Sequence, residues 1–594
     1  MTNVSATAPA GIGHVWDIDG SPATGKRGSE TPACPARPMW FGDDGHPAFG
    51  WFHYPPDTRA RGGVVICHPL GQEYIDTHFA LRALAERLAG AGFCAMRFDY
   101  DGTGDSAGGS DDPERVESWL QTVELAVRAV RETGVSQVSL LGMRLGAALA
   151  ATTAARTAGT DQLVLWDPCS GERFLREQQA LMRLYLGSGR GSAQAVDEVV
   201  GLRLGPGVAA DIAALGVPQT TSPLARRVLL VSRSDRADEL SLGKHMAAED
   251  FERVEAIGQA DLMDKYPPHQ KIPMEAIGNI VTWLLAGTTD PTPITPPEPA
   301  RTRCVGRAPS GARILETPVR VGPVGLFGVL TTPADDAAER HLGVPALFVN
   351  TAKQHHVGPT RLWVELARLR AGTGGVSLRL DLSGLGDSPN RPGEEGWMCH
   401  RPSAFDDIAE AALWLSPGDP AKIVLVGLCS SGYQVLESAL DMGAQGVIAV
   451  NPPVSLTPAE RALGTPLDPR RRIAMPKDQV ADIFREGGRL AYLRVRFPRL
   501  AWRARILLQA PRRRPGKWLR ALVRQGTDTL LICGDREFQR VRSGTTDSQL
   551  RRLRGTGLLQ FEHWPRLQHD LFLPDQRQAV KEAIAGHLAS RFSA

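Results

Sequence analysis

The stretch VGLCSSGY, residues 426–433, follows the apolar run KIVL, and its reading decides the fold. A short apolar run closed at once by small residues, then by a helix-forming pattern, describes a buried parallel strand feeding a helix through a tight turn. The residue at the apex of such a turn is presented to solvent or substrate, and here it is Cys429. The first half of the chain writes the same turn as LLGMRLGA, residues 140–147, with Arg144 at the apex.

Outward from these turns, the same order of signals occurs twice. AFGWFHYP and GGVVICHP in the first half answer LFGVLTTP and PALFVNTA in the second. ALRALAERLAGAGFCAMRFDYDGTGDS answers WVELARLRAGTGGVSLRLDLSGLGDS, a helix pattern followed by a strand and a glycine-rich loop. LVLWDP and LLVSRSDR answer VIAVNP and LLICGDRE. A repeat of this length is a duplicated domain, and strands alternating with helices imply a mostly parallel sheet covered on both faces. The sequence therefore predicts an α/β protein with two tandem domains, at about 38–286 and 312–594. A Gly, Pro and Thr-rich linker at 287–311 separates them and a disordered leader at 1–37 precedes them. At 594 residues the chain exceeds what one hydrophobic core can organise.

Composition excludes several classes. Hydrophobic residues at 42 % and charged residues at 22 % are ordinary for a soluble globular protein, and no run approaches eighteen apolar residues. The start lacks a basic residue followed by an apolar run, so it does not read as a secretory signal. The eight cysteines form no C-x-x-C pair, which argues against a zinc site or a disulfide framework and for a reducing cytoplasm. No G-x-G-x-x-G turn appears in a dinucleotide-binding setting, so neither a metal nor a redox cofactor is expected. Charge is uneven: residues 453–525 hold eighteen Lys or Arg against five Asp or Glu, while the whole chain carries only +3. That interval is predicted to be a basic helical lid over the second domain, and its excess points to an anionic partner.

The strand, the G-x-nucleophile-x-G elbow and the later strand ending in Asp resemble the α/β-hydrolase superfamily. The R-F-D-x-x-G-x-G-D-S signature of Arg97 to Ser106, with its near copy Arg379 to Ser388, strengthens the resemblance. More narrowly, both halves look like the hydrolase-like proteins associated with exosortase gene clusters. The second half is also similar to cysteine-nucleophile acyl and aminoacyl transferases acting on carrier proteins. In that turn Gly427 fits the first glycine, whereas Ser431 stands where the second is usual.

A cysteine nucleophile needs a base to hold it as thiolate and an acid to orient the base. Asp535 ends the apolar run LLIC-G-D, and His569 lies in EHWPRLQHDLFLP before the last helix, so nucleophile, acid and histidine follow in the superfamily order. The expected catalytic set is Cys429, Asp535 and His569, with His563 as the competing base. The oxyanion hole is expected from the N–H of Ser430 with that of Thr351 or Ala352, and His355 and His356 follow closely enough to face the pocket. In the first half Arg144 cannot attack a carbonyl, because its guanidinium stays protonated. Arg144 is expected to form a buried ion pair within a degenerate pocket that supports the second domain, the alternative being that it pairs with Asp235 or with a phosphate or carboxylate of a ligand. His269 stands where the histidine would be, and His68 and Glu73 are further pocket candidates.

These readings converge on an acyltransferase that takes an acyl group from a thioester onto Cys429 and passes it to an acceptor. A thioesterase or carboxylesterase is the alternative within the same chemistry, and a noncatalytic carrier-protein or membrane-surface scaffold the alternative outside it. A basic rim suits a phosphopantetheine-linked donor on coenzyme A or an acidic acyl carrier protein. Nucleic acid is not expected, and a membrane surface is the weaker rival.

Overall fold

The computed structural model describes residues 35–593, apart from 110–111, 158, 187–197, 201, 206, 221, 236–249, 266–269, 335–342, 395–400 and 454–514. The expected leader therefore lies outside the described residues except at its end, where Ala36 and Arg37 already belong to the first strand. His269 and most of the expected lid also lie outside them. Of the lid, the helix Pro515–Arg524 is described.

The first sheet runs Ala36–Asp43, His46–His53, Phe93–Phe98, Gly62–Cys67, Val138–Met143, Gln162–Trp166, Arg227–Ser232 and Asp250–Glu255. Its first two strands form a hairpin that joins the others antiparallel, and the remaining six are parallel. The second sheet repeats this order as Arg313–Val321, Leu326–Pro333, Ser377–Leu380, Ala346–Val349, Val424–Leu428, Gly446–Val450, Asp528–Cys533 and Leu559–His563. It gains one edge strand, Arg303–Arg307, paired antiparallel with Arg313–Val321.

The central strands are apolar without alternation because both faces are covered. Val64 and Ile66 belong to one hydrophobic cluster, and Val65 and Cys67 to another on the opposite face. Leu425 and its neighbours Val424 and Val426 divide the same way in the second half. No helix among the described residues is long and apolar enough to cross a membrane.

The stretch expected to be a linker is woven into both domains instead. Thr292–Pro293 pairs with Arg59–Ala60, and Arg303–Arg307 is the added edge strand. Its apolar residues explain why: Ile294, Ala300 and Val305 are buried, the last two in a core shared by both halves. That shared core packs Trp40, Phe49 and Trp51 of one hairpin against Phe327 and Val329 of the other, with Trp51 edge-on to Phe327 at 4.8 Å.

The repeated signature loop shapes the rest of the interface. Within each copy the first aspartate folds over a glycine and accepts from a backbone N–H: Asp99 Oδ2 from Asp105 N, and Asp381 Oδ2 from Asp387 N, both at 2.9 Å. A Cβ on Gly104 or Gly386 would lie within 2.3 Å of that carboxylate, so only glycine fits. The outer arginine and the last aspartate are exchanged between domains. Arg97 donates to Asp387 at 2.8 Å, and Arg379 donates to Asp105. Arg361 donates to the carbonyls of Gly102, Gly104, Ser106 and Gly108, clamping the first loop from the second domain.

Candidate active site

Val424–Leu428 ends at Cys429, which takes φ +50 and opens the helix Cys429–Met442. A side-chain residue in the left-handed region is strained by about 1–3 kcal/mol and marks a position that the surrounding structure holds in place. Gly427 is required because a Cβ there would come within 2.6 Å of the Ser431 backbone. Ser431 takes the place of the usual glycine by turning its hydroxyl into the elbow, where it accepts from Leu428 N at 3.1 Å and meets Thr351 Oγ1 at 3.2 Å.

The Cys429 Sγ lies 2.9 Å from His569 Nε2. Asn451, itself at φ +47, holds the histidine loop: it donates to the carbonyl of Gln568 at 3.0 Å and accepts from Gly534 N at 2.8 Å. Phe572 and Leu573, just beyond His569, pack against Met182 and Val200 of the first domain. Two residues of the first half therefore back the loop that carries His569.

The carboxylate beside His569 is Glu537 and not Asp535. Glu537 Oε1 lies 3.3 Å from His569 Nδ1, an ion-pair contact not aligned as a hydrogen bond. Asp535, 52 % exposed, instead meets His563 Nε2 at 2.8 Å. The strand stops at Cys533 and the helix Asp535–Ser543 begins at Asp535, so two residues turn the chain by about 200°. Asp535 then faces outward while the Glu537 side chain, 2 % exposed, faces inward. Burial opposes charge on both His569 and Glu537. Cys429 and Glu537 outweigh it for the imidazole and hold its pKa well above 6.5, while His569 lowers that of Glu537.

The two expected donors next to the elbow behave differently. Ala352, at φ +50, donates its N–H to Ser430 Oγ at 2.8 Å, whereas Thr351 turns its hydroxyl to the Leu428 carbonyl at 3.2 Å. His355 and His356 lie at the interface between the domains. His356 donates from Nδ1 to Asp381 at 2.9 Å and from Nε2 to Asp105 at 2.6 Å. Burial disfavours its charge, but the two carboxylates prevail and raise its pKa to about 10.

In the first half Arg144 occupies the elbow at φ +56. Its partners are Glu73, at 3.2–3.3 Å, Glu177, and Asp167 at 3.6 Å. Asp235, expected to pair with it, is 63 % exposed and binds Arg233 at 2.7 Å. Of the first-half pocket candidates, Glu73 meets Arg144 and His68 faces the domain interface. Among the described residues no group of His, Cys, Asp or Glu is arranged to hold a metal ion.

A serine aminopeptidase family model matches residues 58–188, and an alpha/beta hydrolase family model matches residues 355–582. No curated protein matches the chain. Among solved structures it is similar to Est1E from Butyrivibrio proteoclasticus with ferulic acid bound, at 15 % identity and TM-score 0.32, covering 42 % of this chain and 98 % of that one. It is similar to proline iminopeptidase from Mycobacterium smegmatis at 17 % identity and TM-score 0.28, covering 43 % and 98 %. A fungal esterase from Rhizomucor miehei shares 18 % identity at TM-score 0.31, covering 43 % and 84 %. With one family model on each side of the shared interface and the same strand order on both, the chain carries two α/β-hydrolase domains in tandem.

Proposed function

We propose that the second domain transfers acyl groups through an acyl-cysteine intermediate. The observation that carries this reading is the 2.9 Å contact between Cys429 Sγ and His569 Nε2 at a strained elbow. His569 takes the thiol proton and Sγ attacks the acyl carbon of a thioester. The tetrahedral oxyanion is received by the N–H groups of Ser430 and Ala352. Its collapse breaks the bond to the leaving thiolate, which recovers the proton from His569. The acceptor then gives its proton to the imidazole, attacks the acyl-cysteine and releases Cys429. Glu537 orients the imidazole and stabilises its charge.

Ser430 Oγ now occupies the Ala352 N–H, so the hydroxyl swings aside as the oxyanion forms. A thioester donor suits a cysteine because exchange between two thioesters is nearly balanced in energy. The basic composition between Pro453 and Gln525 favours a donor carried on an anion, such as coenzyme A or an acidic carrier protein. The family models favour a second reading, hydrolysis, in which water is the acceptor in the same site.

Intact-protein mass spectrometry after incubation with a panel of acyl thioesters tests the intermediate. Wild type should gain the mass of one acyl group and Cys429→Ala should gain none. Mass gain on both proteins, or on neither across the panel, would refute the acyl-cysteine. Decay of the adduct in water alone, as fast as turnover with added acceptors, would select the hydrolase.

A further inference from the structure

A cavity of about 40 Å³ that opens to solvent lies away from the elbow, between the two domains. Tyr74, His68 and His78 from the first domain and His355 from the second contribute to its wall, with Trp51 and Phe98 as apolar faces. The rings are contiguous: His68 to Tyr74 at 4.5 Å, Tyr74 to His355 at 5.2 Å, and His355 to His78 at 4.6 Å. All three histidines are at least nine-tenths buried.

His68 Nε2 and His355 Nδ1 have no hydrogen-bond partner, whereas His78 Nε2 faces Asp387 Oδ2 at 3.6 Å. A buried polar atom left unpaired is costly, so two in one cavity call for an occupant. The protonation states follow from the partners. His68 Nδ1 donates to the Pro69 carbonyl at 2.6 Å, which leaves Nε2 as a lone pair when the ring is neutral. Tyr74 donates its hydroxyl proton to Asp99 at 2.6 Å, so at the 2.8 Å contact His355 Nε2 must donate to the tyrosine and Nδ1 is the lone pair. Burial keeps these rings neutral, lowering His68 to about 3 and His355 to about 4 and pushing His78 down as well.

The charged groups around the cavity are already engaged, and Asp99 accepts from the Tyr74 hydroxyl and the Asp105 N–H. Arg97 holds Asp387, and Asp105 is held by His356 and Arg379. A bound anion would compete with Asp387 for Arg97, and a bound cation would meet Arg97 and the protonated His356. What remains unsatisfied is hydrogen-bond acceptor capacity on neutral rings beside aromatic walls. We infer that this interdomain cavity is a binding site for a small uncharged molecule that carries two or more hydroxyl or amide hydrogen-bond donors on an apolar frame.

The test compares neutral and charged probes of one size on the full chain: benzamide against benzoate and benzylamine, read by saturation-transfer NMR and by thermal melting. Benzamide should bind and raise the melting temperature. Its affinity should fall at least tenfold in His68→Phe and in His355→Leu, and should be unchanged in Cys429→Ala. His68→Gln, which keeps a polar group of similar reach, guards against loss through misfolding and should retain binding. Equal binding of benzoate or benzylamine would overturn the inference. So would loss of the benzamide signal in Cys429→Ala, absence of benzamide binding to wild type, or a benzamide-soaked crystal in which only ordered water contacts His68 Nε2 and His355 Nδ1.

Discussion

The two elbows are the same backbone put to different uses. Arg144 and Cys429 each end the central strand of a sheet at a φ near +50°, and each is followed by a helix. Beyond the backbone they diverge. At the end of the next strand the first half has Asp167, 3.6 Å from Arg144, and the second has Asn451, whose neutral amide holds the loop of His569. The first elbow is ringed by carboxylates that neutralise a cation; the second meets an imidazole that can take a proton. The fold supplies the strained apex, and the chemistry depends on what faces it.

The largest effect should come from treating the elbows as equals. Cys429→Ala should lower turnover by about 10⁴-fold or more, as removal of a nucleophile from a concerted set does, without a matching loss of stability. The reciprocal graft, Arg144→Cys, should not acquire labelling by acyl thioesters, because Glu73, Asp167 and Glu177 surround it and no histidine among the described residues contacts it. Transfer of label to position 144 in a Cys429→Ala, Arg144→Cys protein would break the distinction.

Next in size is the cost of emptying the first elbow. Arg144 is 1 % exposed and anchors a buried carboxylate cluster. Truncation to Ala should destabilise the protein by about 3–5 kcal/mol, the usual penalty for leaving a buried partner uncompensated. Denaturant unfolding of this variant, with Cys429 labelling retained in the fraction still folded, would separate a structural role from a catalytic one. An unchanged midpoint would remove the structural reading.

Much of this comparison was legible in the sequence. The doubled pattern of strands, elbows and R-x-D-x-x-G-x-G-D-S loops announces two similar α/β domains, because buried parallel strands leave continuous apolar runs and tight loops demand glycine. The pairing of Cys429 with His569 in space follows the expected order. The carboxylate beside His569 did not follow it: Asp535 and Glu537 are two residues apart, and only the point at which helix replaces strand decides which one turns inward. Sequence order carries no such phase. The expected linker differs for a related reason, since the apolar side chains Ile294, Ala300 and Val305 anchor it to the domains although most of the segment stays at the surface. The exchange of Arg97 and Arg379 between domains could have been suspected from the exact repetition of the loop, but only the docked interface shows that each arginine serves the opposite copy.

The acid assignment gives a third contrast, smaller than the first two. Glu537→Gln should lower kcat/KM by about 10²-fold, less than loss of the nucleophile, because the Cys–His pair remains while the imidazolium loses its oriented counter-charge. Asp535→Asn should stay within about twofold, since its carboxylate faces His563 and solvent. Steady-state kinetics on the two variants decides the matter, and the reverse ranking would restore Asp535 as the acid.

The smallest expected effect concerns His356, which stands between Asp105 of one domain and Asp381 of the other. Its folded pKa, about 10, lies above the ordinary 6.5 of a free histidine. The charge therefore stabilises the fold fully below about pH 6.5, and that stabilisation is lost as pH rises toward 10. Across this window wild type should lose stability as pH rises, because the unfolded chain has already released the proton that the folded chain retains. His356→Gln removes the titration and should flatten the dependence of the unfolding midpoint between pH 7 and 9, while lowering stability most at the acid end. A variant as pH-sensitive as wild type would mean that His356 joins the domains as a neutral ring.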